Sequence, residues 1–182
     1  ITFTLEMKNL ILRNQIINYG LITSFFGVSF SFMQFYLGSH YENDLISFFI
    51  SLIILFFGIA VSSINFKKKL DGIINLNTVL KLGTGLSSIY AFSGIIFYLL
   101  LVNFFEPSFW DTFWQINYDI AITENPEQMT NPQTGSVWTF EEFKNYVEWT
   151  QKLTIPFTIG INLFCGFMFS LLLGVIIQKS QD

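Results

Sequence analysis

Leu45-Ile-Ser-Phe-Phe-Ile-Ser-Leu-Ile-Ile-Leu-Phe-Phe-Gly-Ile-Ala-Val-Ser-Ser-Ile-Asn-Phe66 carries no acidic or basic side chain and runs directly into Lys67, Lys68 and Lys69. A helix needs about 20 apolar residues to cross the hydrocarbon core of a bilayer. Each Leu, Ile, Phe or Val near the middle of such a helix favours insertion by ~0.3–0.6 kcal/mol, so the whole stretch favours it by several kcal/mol. Three more charge-free gaps flank this one, from Arg13 to Glu42, from Lys81 to Glu106 and from Lys152 to Lys179. The pattern predicts four transmembrane helices, at 16–37, 45–66, 82–105 and 155–178, in one membrane domain covering 1–182. One apolar run of this kind fits a buried soluble helix, but four in a short chain do not.

Composition agrees. Of 182 residues, 52% are hydrophobic, 19% aromatic and 12% charged, against about 25% charged in soluble domains. A soluble domain of this length leaves roughly a third of its surface in water and has nowhere to hide so much apolar area. A soluble globule, a disordered chain and a nucleic-acid binder are excluded on this ground. Lys8 and Arg13 before an apolar run suggest a signal peptide, but Ile16–Leu37 is too long for one and lacks a small-residue cleavage site, so it is expected to stay as a span. Ile1 leaves Met7 open as a natural start.

Lysine and arginine set the orientation. Lys8, Arg13, Lys67, Lys68, Lys69, Lys81 and Lys179 fall on one side of the four spans, and Lys144 and Lys152 on the other. The positive-inside rule predicts both termini and the Lys67–Lys81 loop in the cytoplasm. The Ser39–Asp44 turn and the segment 106–152 then lie outside.

The spans carry small residues at helical spacing. Gly20, Ser24, Gly27 and Ser31 line one face of the first, and Ser47, Ser51, Gly58 and Ser62 do much the same in the second. Gly83, Ser87, Ala91 and Gly94 mark the third, and Gly166, Ser170 and Gly174 the fourth. In lipid, small residues let helix backbones approach closely. The stripes are candidate packing faces within one bundle, and alternatively a face that docks another membrane protein. Asn162 and Gln34 are the expected interhelical hydrogen bonders.

The outer segment has soluble-domain chemistry. Glu106 and Pro107 stop the third span. Phe109, Phe113, Ile116 and Ile120, with Trp110 and Trp114 alongside, predict an amphipathic helix over 108–122. Two Asn-Pro pairs and Gly135 mark a turn region. Thr139-Phe-Glu-Glu142 has the form of a capping box and opens a second helix lined by Phe140, Phe143 and Val147. The expectation is a helical extracytoplasmic hairpin, with Phe109, Trp110, Phe113 and Trp114 as candidate membrane-interface aromatics that lie on headgroups or pack on the second outer helix.

Reactive chemistry is sparse. Cys165 and His40 are each the only residue of their type, so no disulfide, cysteine metal cluster or His-based nucleophile set can be assembled. Glu141 and Glu142 are adjacent on a helix and point apart. The spans hold no ionisable carboxylate for a proton relay. No catalytic, cofactor-binding or metal-ligating residue is expected, and no cofactor.

Lys8-Asn-Leu-Ile-Leu-Arg13 with Tyr19-Gly-Leu-Ile22 resembles the start of the bacterial membrane-protein family called domain of unknown function 4199. So do Lys67-Lys-Lys-Leu-Asp-Gly72, Leu80-Lys-Leu-Gly83, Asn103-Phe-Phe-Glu-Pro-Ser-Phe109 and Thr139-Phe-Glu-Glu-Phe143 before Pro156. The resemblance implies a four-span protein of the bacterial inner membrane and carries no functional residue. The outer segment departs from it in being rich in Trp and Phe.

Spans with packing stripes and no reactive set fit a non-catalytic accessory or scaffold subunit of an inner-membrane complex. Its partners would be the lipid bilayer and an integral membrane protein, by fold-level analogy an enzyme of lipid-linked sugars. A component of a small-molecule transporter or channel is the alternative.

Overall fold

The computed structural model describes residues 2–41, 45–70, 72–131 and 135–178. Glu42, Asn43 and Asp44 of the first turn, Asp71 of the basic linker, Pro132 of the second Asn-Pro pair, and Lys179 lie outside the described residues. The described chain is helical, with α1 (Thr2–Leu37), α2 (Leu45–Lys69), α3 (Leu76–Leu100), α4 (Phe109–Glu124), α5 (Phe140–Val147) and α6 (Thr154–Ile177). Four segments are long and apolar enough to cross a membrane. This is a multi-pass, all-helical architecture.

The helices outrun the charge-free gaps. α1 begins at Thr2 rather than at residue 16, and α3 at Leu76 rather than at 82. Charged residues limit what sits in hydrocarbon but do not break a helix, so Lys8, Arg13 and Lys81 ride on helical turns beyond the apolar runs. The ends are set by backbone chemistry instead. Gly38, at φ 73°, takes the left-handed turn that closes α1. Gly72, at φ 84°, does the same after α2, where its N–H reaches the Lys67 carbonyl at 3.0 Å. Lys67, Lys68 and Lys69 fill the last turn of α2, where the helix dipole favours cations. Asn75 caps α3, its side-chain oxygen accepting from the Thr78 N–H at 2.9 Å. α3 ends by loosening into a π turn over Leu101–Phe105, and Pro107 follows.

Two compact units divide the chain. The first, Ile1–Ile96 with Thr158–Asp182, is a bundle of the long helices. Its core joins Leu55, Ile59 and Phe66 of α2, Ile74, Val79, Leu82 and Leu86 of the linker and α3, and Leu173 of α6, with Ile11, Leu12 and Ile16 of α1 packed against them. Its outer faces are apolar as well: Phe25, Phe57, Phe92, Phe164 and Ile176 are all exposed. An apolar surface inside and out is what a helix surrounded by lipid requires, and water would not tolerate it.

The second unit, Phe97–Phe157, holds α4, α5 and the segments beside them. The Thr139 capping box is formed in full, with the Thr139 hydroxyl accepting from the Glu142 N–H and the Glu142 carboxylate accepting from the Thr139 N–H. A 3-10 turn at Pro126–Met129 and a single bridge between Thr130 and Val137 occupy the expected turn region.

Candidate functional site

Three arrangements of side chains stand out, two in the bundle and one in the Phe97–Phe157 unit. The first is a seam between α3 and α6. A Cβ added at Gly83 would overlap the Ser170 hydroxyl, and one added at Gly166 would overlap that of Ser87. Each serine donates to the carbonyl one turn earlier in its own helix, Ser87 to Gly83 at 2.8 Å and Ser170 to Gly166 at 2.5 Å. The glycine of each helix therefore receives the serine of the other. Residue numbers rise along one helix as they fall along the other, as an antiparallel pair demands. Neither hydroxyl is left without a partner in a medium that offers no water.

Most of the other small residues are also turned inward. Gly20 faces Ile89, Gly27 faces Tyr90, Gly174 faces Leu76, and Gly58 of α2 faces Thr23 of α1. Ser24 and Ala91 are buried, Ser31 is half-buried, and Gly94 has open space around it. The predicted stripes are thus brought together with helices of this same chain.

The second arrangement is a polar cluster at the basic end of the bundle. Gln15, 2% exposed, donates its amide to the Ser62 carbonyl at 3.0 Å and accepts from Lys69 Nζ at 2.8 Å. Asn65 donates to the Tyr19 hydroxyl at 2.7 Å. Lys67 Nζ reaches the Ile177 carbonyl at 2.8 Å, closing the C-terminal end of α6. These bonds tie α1, α2 and α6 together where the lysines leave the membrane. Interhelical hydrogen bonds of this kind in membrane proteins contribute about 0.6 kcal/mol each on average.

Sequence reasoning missed Gln15. It lies two residues past Arg13, outside the apolar stretch, although Gln15, Tyr19 and Thr23 recur every four residues and mark one helix face. Of the two expected interhelical donors, Gln34 does bridge, to the Ser47 hydroxyl at 2.6 Å. Asn162 does not: its amide turns back to the Thr158 carbonyl of its own helix at 2.8 Å. That bond keeps the amide satisfied within α6.

The third arrangement is aromatic. Phe109 and Trp114 are buried, and Trp110 and Phe113 half-buried, in a cluster where Trp110 stacks on Trp114 with centroids 5.5 Å apart and Phe109 on Phe113 at 5.9 Å. Trp114 and Tyr118 meet Phe143 of α5 at 6.4 and 5.6 Å. The row of α4 that faces α5 is therefore Asp111, Trp114 and Tyr118, and Ile120 is exposed. Tyr118 donates to the Trp138 carbonyl at 2.8 Å, and Lys144 pairs with Asp111 at 2.6 Å. The pairing raises the Lys144 pKa, chiefly through its hydrogen bond to Asp111.

Glu142 is shifted as well. Its carboxyl is held below the usual carboxylate range because it accepts from the Thr139 N–H and hydroxyl. A carboxyl depressed on folding stabilises the fold above its unfolded pKa and loses that contribution as pH falls through the folded value. We expect the helical Cα chemical shifts of Phe140–Val147 to weaken on acidification below the usual carboxylate range. Glu142→Gln, which keeps the cap geometry without a titrating group, should abolish the dependence. The same acid response in that variant would contradict the assignment.

No group of three or more His, Cys, Asp or Glu that could hold a metal ion occurs among the described residues. Comparison with known families matches residues 18–179 to the protein of unknown function DUF4199. The chain belongs to the DUF4199 family. The DUF4199 match takes in the basic linker, the α3–α6 seam and the whole aromatic unit. No curated protein and no solved structure matches this DUF4199 chain.

Proposed function

We propose that this chain is a non-catalytic scaffold or accessory subunit of a complex in the bacterial inner membrane, with both termini in the cytoplasm and residues 106–152 outside. The α3–α6 seam is the observation that carries the reading. Two helices joined at glycine distance, with each serine seated on the opposite glycine, leave a bundle core filled by its own side chains. Leu55, Ile59, Leu82 and Leu86 are fully buried beside it. A core of this kind supports a packing role. The inward-facing stripes leave partner contact to the lipid-facing side chains and to the outer unit.

Orientation rests on the basic residues. Lys68 and Lys69 are exposed at the end of α2 and Lys81 on α3, which favours the cytoplasm for that end. The aromatic unit then stands on the far side as the hairpin between the third and fourth spans.

Affinity purification of the full chain from native membranes in mild detergent, followed by mass spectrometry, tests the function. A stoichiometric integral membrane partner is expected, together with no turnover or conductance by the purified chain in liposomes. Solute flux or substrate turnover by the chain alone would overturn the scaffold reading in favour of a transporter, channel or enzyme.

A further inference from the structure

Among the described residues of the Phe97–Phe157 unit, an apolar series leading into α6 is left uncovered. Tyr146, Trp149, Leu153 and Phe157 follow one another from the end of α5 through the 3-10 turns Glu148–Leu153 into the start of α6 and are 66%, 58%, 48% and 68% exposed. The other sides of the same segment are accounted for. Phe143 packs on Trp114 and Tyr118, and Lys144 holds Asp111. Glu148 and Lys152 stand exposed as charges. Trp138 covers one side of Tyr146, with ring centroids 5.1 Å apart.

We propose that this row, and not the Phe109–Trp114 cluster, is the surface that rests on lipid at the headgroup boundary. It makes Glu148–Leu153 an interfacial collar for the last span. The inference rests on the reading of the long helices as spans and goes beyond the scaffold proposal. Phe109 and Trp114 are buried in their own unit and Trp110 and Phe113 are half-buried, so that cluster offers less open surface to lipid than Tyr146, Trp149, Leu153 and Phe157 do. The exposed row is continuous with a span: Phe140–Ile177 is a single run of helical turns long and apolar enough to cross a membrane, and Phe157 already belongs to α6. Its order also matches a membrane boundary. Rings with a polar edge, Tyr146 and Trp149, come first, and the wholly apolar Leu153 and Phe157 follow. Tyr and Trp favour the headgroup level, while Leu and Phe favour hydrocarbon. A protein groove would not impose that gradient. Glu148 and Lys152 lie between the row's members in sequence and remain exposed, which keeps charge in water.

Site-directed spin labelling tests it. Single cysteines replace Tyr146, Trp149, Leu153, Phe157, Glu148 or Lys152, one at a time, in a Cys165→Ser full chain reconstituted in liposomes of bacterial phospholipids. Collision with oxygen, which concentrates in lipid, is compared with collision with a water-soluble nickel chelate. We expect the oxygen-to-nickel ratio to rise from Tyr146 to Phe157 along the row and to be several-fold lower at Glu148 and Lys152. A row as open to nickel as Glu148 and Lys152 faces water and overturns the proposal. A row shielded from both reagents is covered by protein, a second copy included, and overturns it too. A label at Phe164, exposed on α6, separates the causes: an oxygen-rich Phe164 confines any failure to the row, whereas a nickel-accessible Phe164 removes the span itself. The pattern is read across independent sites, each checked for helix content, so the loss of one variant leaves the others decisive.

Discussion

Replacing Gly83 by Ser should collapse the bundle's abundance, and adding Ser170→Gly should restore it. The single substitution puts a hydroxymethyl group where the Ser170 hydroxyl already sits against the α3 backbone. Both helices are packed at this level by Leu82, Leu86 and Leu173, so neither can move aside without opening the core. Overpacking a close-packed interior costs about 1–3 kcal/mol. That is a large share of the roughly 5–15 kcal/mol by which folded domains exceed their unfolded states. The double variant transfers the serine to the other helix and leaves the same volumes in the seam. Residues in contact do not act additively, and the difference between the double variant and the two single ones isolates the coupling. Ser170→Gly alone should be mild, since it removes a hydroxyl bonded within its own helix and leaves a small void. Thermal stability in detergent, read by loss of the monodisperse fraction, gives all three values. Equal damage by the single and double variants would show that Gly83 and Ser170 do not face each other.

The long helices were legible because lipid imposes a coarse rule. A span must be free of charge over about 20 residues, and such gaps can be read without knowing any contact. The capping box at Thr139 was legible because its two bonds lie within four residues. The family match rests on a similar local grammar, in the basic linker and the Asn103–Phe109 motif. What lay beyond reading was which polar atom meets which. Gln15 sits one residue before the predicted span at 16–37, yet the structure buries it, because a long side chain just inside a lysine-rich end can bond both the backbone at Ser62 and the ammonium of Lys69. Gln34 and Asn162 are both amides in spans, and only the facing helix decides that one bridges and the other turns back. The face of α4 that meets α5 was left open for a related reason. Phe109, Trp110, Phe113, Trp114 and Ile116 spread apolar groups over nearly half of the helix circumference, so periodicity does not say which of them meets α5. The contact row is fixed by what α5 presents, namely Phe143 and Lys144. The small-residue stripes were visible as stripes. Their pairing, with the glycines and serines of α3 set against those of α6, needed three dimensions.

The architecture proposed for this DUF4199 chain has four spans, so the basic linker after the second span and the segment 106–152 after the third are expected on opposite sides of one membrane. The effect of that arrangement on accessibility is all-or-none, because a charged reagent that cannot cross lipid sees one side only. Two positions report it cleanly. Glu127 is exposed in the turn region of the aromatic unit, and Lys68 is exposed at the basic end of α2. Single cysteines at each, in the Cys165→Ser background, replace side chains that make no core contact. The measurement is modification by an impermeant maleimide in intact spheroplasts and again after the membrane is breached. The account predicts that Glu127→Cys reacts in intact spheroplasts, and that Lys68→Cys reacts only after the breach. Reaction of Lys68→Cys alone before the breach would reverse the orientation, and equal reaction of both would contradict the four-span architecture itself.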